Sequence, residues 1–481
     1  MKTKGNDLMK KLWFAMCCCV AMTVPHARAA PAWDAKAERA SAASAEQAGD
    51  WDAALLHYEN VYDSTVCTPE EYVQLRRKFE QLQPKVKPNT DPAKAAVYHV
   101  RSFAFRTLQV GDRKNTYNEK QLQDFEKVHS AWADEVWKAS RGQCRLDWKT
   151  HIIDKPLTRF DGYPSPDNCM PSMDALRPGE ADYVTATALA AGFDWACWGG
   201  TMGSVCKGAS YGGFNDAGDG GTCGNAEIQV HEWLHGLEMT LKWHHLYPDT
   251  IFPNPDAGCN CGPKCWQAKP GHDSLYDWYR HILTVHLTPK MWRIMSLTRP
   301  GENPWLADLK LCPQFATLGP FDGTGKDQNG FDTAFINEAD PQPALGKQEA
   351  GQTWRTADRV GLFLNLAGVY YPVERQVAYA AVRAKAPAAG AAQVRIGAAS
   401  ACKAWHNGKQ IVNSRTWRGY GLDQDKADVQ LVQGDNLFVI KVVNSGAKDW
   451  SDWSVELRLT DAAGKPLDNI EYSVPAAAAT K

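Results

Sequence analysis

The spacing of apolar residues changes along the chain, and that change constrains the fold more than any other feature. Between residues 36 and 140 apolar side chains recur at helical intervals, as in AASAEQAGDWDAALLHYENVY, where Trp51, Ala54, Leu55 and Tyr58 share one stripe. VQLRRKFEQL and LQDFEKVHSAWADEVW continue that spacing. After residue 350 the pattern becomes alternation, in QVRIG, KAWHNGKQIV, DVQLVQGDNLFVIKVV and WSVELRLTD, with Asn407-Gly408 marking a tight hairpin. Helices bury a stripe and strands bury one side of a pleat, so a chain carrying both in separate blocks is expected to be multidomain α+β. Its 481 residues suffice for several cores.

Residues 1–29 read as an export signal. MKTKGNDLMKK is basic, LWFAMCCCVAMTV is an apolar run too short to span a bilayer, and PHARAA ends in small residues at signal-peptidase spacing. The expected location is secreted or periplasmic. Residues 30–143 are expected to form a helical N-terminal region, with one helix pair resembling a tetratricopeptide unit. Residues 144–338 read as a mixed α/β domain, with YVTATALAAGFDWACW as its best strand, residues 339–349 as a linker, and 350–475 as an all-β sandwich. No later stretch is long and apolar enough for a membrane span. A formal net charge of −2 without basic runs argues against nucleic acid as a partner. Eleven of the fourteen cysteines follow the leader, and most crowd between residues 144 and 312. Export favours disulfides among them, and GCNCGPKCW lacks the second CxxC pair of a zinc site.

The chemistry is concentrated in EIQVHEWLHGLE, residues 227–238. On a helix, at about 100° per residue, Val230, Leu234, Leu237 and Leu241 form one stripe that packs inward. Glu227, His231, His235 and Glu238 form the adjoining stripe. His231 and His235 then stand one turn apart on one face, able to hold one metal ion at about 2 Å from each ring nitrogen. Glu232 lies about 100° round from His231, within reach of a water on that ion. Zinc lowers the pKa of such a water toward about 7, and a glutamate beside it can take the proton and pass it to a leaving amine. A catalytic zinc needs a third protein ligand and one open position. Glu238 lies too far along the axis for ligation and suits a hydrogen-bonding support.

HEWLH within a mixed α/β domain resembles the zincin superfamily of zinc metallopeptidases. That resemblance implies a zincin-like catalytic domain, a zinc cofactor, His231 and His235 as ligands, Glu232 as general base, and a protein or glycoprotein substrate. Metzincins carry a glycine and a third histidine where Glu238 and Leu241 stand here, and the glutamate needed by gluzincins is as remote as Glu302. GHDSLYDWYRH is similar in part to the aspzincin arrangement, which implies Asp273 as third ligand and Tyr276 as oxyanion donor. His272 occupies a position where that family usually has threonine, which makes His272 the alternative ligand; His244 and His245 are further candidates if the helix ends by about residue 242. Trp198, Gly199 and Gly200 are candidates for an edge strand along which substrate lies, or for a turn. KAWHNGKQI, VQLVQGDNLFVIKV and LRLTDAAGKPL resemble galactose-binding-like jelly-roll modules. That resemblance implies a jelly-roll sandwich with carbohydrate as a candidate partner, and Trp405, Trp417 and Trp453 as a candidate stacking platform. The rival readings are an inactive zincin scaffold that presents the sandwich to a cell-surface sugar, and a metal-retaining hydrolase of another amide or of polysaccharide.

Overall fold

The structure, a computed structural model, describes residues 33–62, 67–160, 164, 166–169, 172–173, 175–177, 180–193, 198–200, 209–216, 226–243, 255, 275–296, 304–370, 373–444 and 453–476. The leader, His244, His245, the cluster Cys259–Cys265, His272 and Asp273 lie outside the described residues.

Side-chain caps set the N-terminal helices. Asp34 accepts from the Lys36 amide to start α1 (Ala35–Ala48). Gly49, at φ 75°, ends it in a left-handed turn, and Asp50 accepts from the Ala53 amide to start α2 (Trp51–Val61). This two-residue link folds α2 back on α1. A reciprocal Thr68–Glu71 capping box with Pro69 in the first turn starts α3 (Pro69–Leu82). The helical stretch then stops, contrary to the expectation for residues 30–143. β1 (Ala96–Phe105), β2 (Thr107–Val110) and β3 (Arg113–Thr116) precede the long α4 (Glu119–Ala139). Both faces of β1 are covered, so AVYHVRSFAF shows no clean alternation to separate it from a helix.

β1 is central to the first sheet. With β4 (Cys144–Ile153), β5 (Tyr183–Leu189), β6 (Trp198–Gly200) and β7 (Ser210–Asp216) the order is β4-β1-β5-β7-β6. The first four are mutually parallel, and β6 runs antiparallel at the edge. β5 falls where a strand was expected, with all seven residues buried. α5 (Ala226–Trp243) carries the histidine motif and packs on β6 and β7. α6 (Leu275–His281) runs into a π turn, Ile282–His286, and α7 (Pro289–Met295) follows. Beneath α5 lies an aromatic layer: Trp233 stacks on Trp292 at 5.8 Å between centroids and meets Trp132 and Tyr98 edge-on at 5.8 and 5.5 Å. Among the described residues, no helix is long and apolar enough to cross a membrane.

The C-terminal region is β-rich. Its strands are β8 (Gln314–Asp322), the short pair β9 (Gln348–Glu349) and β10 (Gln352–Thr353), β11 (Arg355–Asp358), β12 (Leu364–Asn365), β13 (Gln376–Ala386), β14 (Gly390–Ala398), β15 (Ala401–His406), β16 (Lys409–Ser414), β17 (Asp425–Leu431), β18 (Gly434–Val443), β19 (Ser454–Thr460) and β20 (Glu471–Ser473). One sheet runs β11-β8-β13-β18-β15-β16, with β20 also on β13; the other runs β12-β19-β14-β17. Ala380, Val382 and Ile440 of the first share a core with Val394, Ile396, Val455 and Leu457 of the second. Asn407 and Gly408 close the β15–β16 hairpin at φ 48° and 82°, the doubly positive turn their pairing predicts.

Three expectations change. The boundary placed at 339–350 falls inside it, because β8 pairs with β13 and the buried Lys441 ammonium donates to the Phe331 and Thr333 carbonyls and to Glu338. The sequence there, FATLGPFDGTG, breaks its short apolar run with glycine and proline and so reads as a loop. Trp405 and Trp453 are 4% and 0% exposed, core residues rather than parts of a stacking platform, which leaves Trp417 alone at the surface. Cys144, Cys312 and Cys402 are buried thiols outside any disulfide, packed as small apolar side chains.

Burial, reinforced by the neighbouring Asp423, pushes the fully buried Glu456 carboxyl from its ordinary 4.5 up to about 8. The folded state therefore holds a proton there that the unfolded chain releases. Its stabilising contribution is complete below about pH 4.5 and is lost as pH rises to about 8. Glu456→Gln is expected to flatten that decline, read as thermal midpoints between pH 5 and 8; an unchanged slope would exclude Glu456 as its source.

Candidate metal centre

Helical geometry delivers the motif as its spacing requires. Val230, Leu234, Leu237 and Leu241 are all fully buried and anchor α5 to the core. That fixes the rotation of the helix and carries His231 and His235 round to a common side. The two Nε2 atoms stand 3.1 Å apart, with the ring planes at 80°. Two nitrogens bound tetrahedrally to one zinc, each at about 2.0–2.1 Å, would be about 3.3 Å apart. His231 and Glu232 are 1% and 3% exposed, whereas His235 is partly open. The ligating atoms of His231, Glu232 and His235 all lie within 4.8 Å of one another. That spacing suits one shared ion.

Behind His231 stands a residue the sequence reading missed. Its Nδ1 lies 2.8 Å from the hydroxyl of Tyr279, a fully buried side chain on α6. In the tautomer that ligates metal, Nδ1–H donates to the phenol oxygen and the Nε2 lone pair faces His235. Tyr279 lies one helical turn beyond Tyr276 on the same helix, but no local spacing marks it as a partner of His231. Tyr276 itself is half-buried, with the Arg280 guanidinium 5.2 Å from its ring centroid. Burial, and then the charges of Glu227 and Glu135, raise its pKa well above the ordinary phenol value, so it keeps its proton. Arg280 also pairs with Glu135 of α4, which ties α6 to the layer under α5. Glu238 Oε2 is 3.9 Å from His235 Nδ1, a neighbouring charge too distant for a hydrogen bond.

Tyr279→Phe removes this acceptor and leaves the ring volume. Zinc affinity is expected to fall about 10–100-fold, measured by competition with a chromophoric chelator. Unchanged affinity would show that His231 is oriented without Tyr279.

A groove of about 480 Å³ among α1, α2 and α3, lined by Arg39, Tyr58, Glu71, Leu75 and Lys78, includes none of the motif residues.

No protein-family model matches the chain, and no curated protein sequence matches it. Among solved structures it is similar to a β-glucosidase from Kluyveromyces marxianus in complex with glucose, at 8% identity over 27% of this chain and 18% of that one, TM-score 0.20. An anti-sigma factor domain-containing protein from Clostridium clariflavum matches at 10% identity over 36% and 49%, TM-score 0.21. The PA14 domain of the MpAFP antifreeze protein matches at 12% identity over 34% and 75%, TM-score 0.18. The chain spans less than a fifth of the length of the β-glucosidase chains. Likenesses at these TM-scores carry no argument about function.

Proposed function

We propose that the chain is an exported, zinc-dependent metallopeptidase of zincin type that cleaves peptide bonds in proteins or glycoproteins, with Glu232 as general base. The observation that carries this reading is the convergence of two imidazole nitrogens 3.1 Å apart with a buried carboxylate within 4.8 Å of both. Zinc held by His231 and His235 supplies a Lewis acid for water and for the scissile carbonyl.

The protein's own groups do the rest. Glu232 takes the proton of the attacking water and delivers it to the departing amine. Tyr279 holds His231 in place. Tyr276, kept protonated by burial, serves as the candidate donor to the oxyanion. β6 lies at the sheet edge beside α5 and, among the described residues, pairs in that sheet only with β7, an arrangement that suits an extended peptide added as a further strand. His272 and Asp273 remain the proposed third ligands, and the β-rich C-terminal region is proposed as a galactose-binding-like jelly roll.

The test is proteolysis of casein by the purified full chain. Hydrolysis is expected to stop on chelation and return with stoichiometric zinc. Release of sugar from mucin or peptidoglycan without peptide cleavage would overturn the peptidase reading and keep the metal. A chain that binds no zinc and hydrolyses none of these would leave the alternative of a catalytically inactive scaffold for carbohydrate or cell-surface binding.

A further inference from the structure

A second cluster of ligating side chains lies outside the motif. Glu80 projects from α3, His281 ends α6, and His286 ends the π turn. Their ligating atoms all lie within 4.8 Å of one another. The turn itself makes this convergence possible. Residues five apart on an α-helix lie about 140° apart round the axis and face different ways. The wider i→i+5 turn over Ile282–His286 closes that angle and brings the two imidazole centroids to 5.3 Å.

We propose that Glu80, His281 and His286 form a second transition-metal site, of the zinc class, that clamps the N-terminal helices onto the sheet-bearing core. Two imidazoles and one carboxylate are a donor set that zinc, cobalt or nickel accepts, with the remaining positions left to water. Both rings are held before any ion arrives. His281 stacks on Trp278 at 5.6 Å, with planes 19° apart, and His286 is 3% exposed. Arg76, one turn before Glu80 on α3, opposes a bound cation, and the Glu80 carboxylate offsets it.

The location gives the site its role. Gln83, three residues after Glu80, already donates from Nε2 to the carbonyls of Val285 and Leu287 at 3.2 and 3.1 Å. An ion at Glu80 would add a metal bond to a junction now held by these hydrogen bonds and by packing. It would also fix the end of α6, two residues beyond the Tyr279 that supports His231. The second site is independent of the first in its ligands.

Cobalt(II) titration of the metal-depleted full chain, followed by its visible absorption, tests this. In a His231→Ala/His235→Ala background about one cobalt per chain is expected to remain. Adding His281→Ala, an exposed position, should abolish it, and adding Glu80→Gln instead should weaken it about tenfold or more. The inference is overturned if the double variant binds no cobalt, or if its cobalt is bound as tightly after both His281 and Glu80 are replaced. Loss of the second ion alone would leave the peptidase reading intact.

Discussion

Glu232→Gln is expected to lower kcat/KM on a peptide substrate by about 10²–10⁴-fold while zinc stays bound. Glutamine preserves the shape of a side chain that is 3% exposed on a helix anchored by four fully buried apolar residues, so the fold has little reason to move. It also keeps an oxygen that accepts a hydrogen bond from water. What it loses is the capacity to take a proton. His231 and His235 are untouched, so metal content should equal that of the parent chain, and the whole effect should appear in turnover. Full activity in this variant would remove Glu232 from the mechanism. Loss of zinc together with activity would instead make the carboxylate a ligand.

The second large effect is expected far from the motif. β14 and β19 place Arg395 and Arg458 directly opposite each other, and their side chains are 3% and 1% exposed. Two like charges paired across strands and buried would repel. Asp423 resolves this by accepting from both: Arg458 Nε and Nη2 at 2.8 and 2.5 Å, and Arg395 Nη1 at 2.9 Å. Burial works against its charge, but the two guanidiniums outweigh it and hold the carboxyl below its ordinary 3.8. Asp423→Ala leaves two buried cations without their counter-ion and is expected to cost about 3–5 kcal/mol of stability. Urea unfolding followed at several wavelengths would show it. A loss below about 1 kcal/mol, the scale of a surface pair, would mean that water already screens the two arginines.

Legibility in the sequence followed how sharply local chemistry dictates geometry. The α5 stripe was readable because Val230, Leu234, Leu237 and Leu241 repeat at the helical period and face one core. Asn407-Gly408 was readable because a two-residue hairpin demands two positive φ angles. β1 was not, since its two covered faces erase the alternation on which strand reading rests. β8 was hidden for another reason: its partners β11 and β13 come later in the chain, and no local pattern announces pairing across that distance. Among site residues, His231, Glu232 and His235 share one helix and were visible together. Tyr279 reaches His231 from another helix, 48 residues further on, through tertiary packing that spacing does not encode.

Everything proposed for catalysis depends on a divalent ion between His231 and His235. Anomalous diffraction at the zinc absorption edge, on crystals of the full chain grown with zinc, tests that directly. A peak is expected about 2.0–2.1 Å from both Nε2 atoms, with Glu232 outside bonding distance. A pair of imidazoles hydrogen-bonded to each other, with no peak between them at saturating zinc, would contradict it.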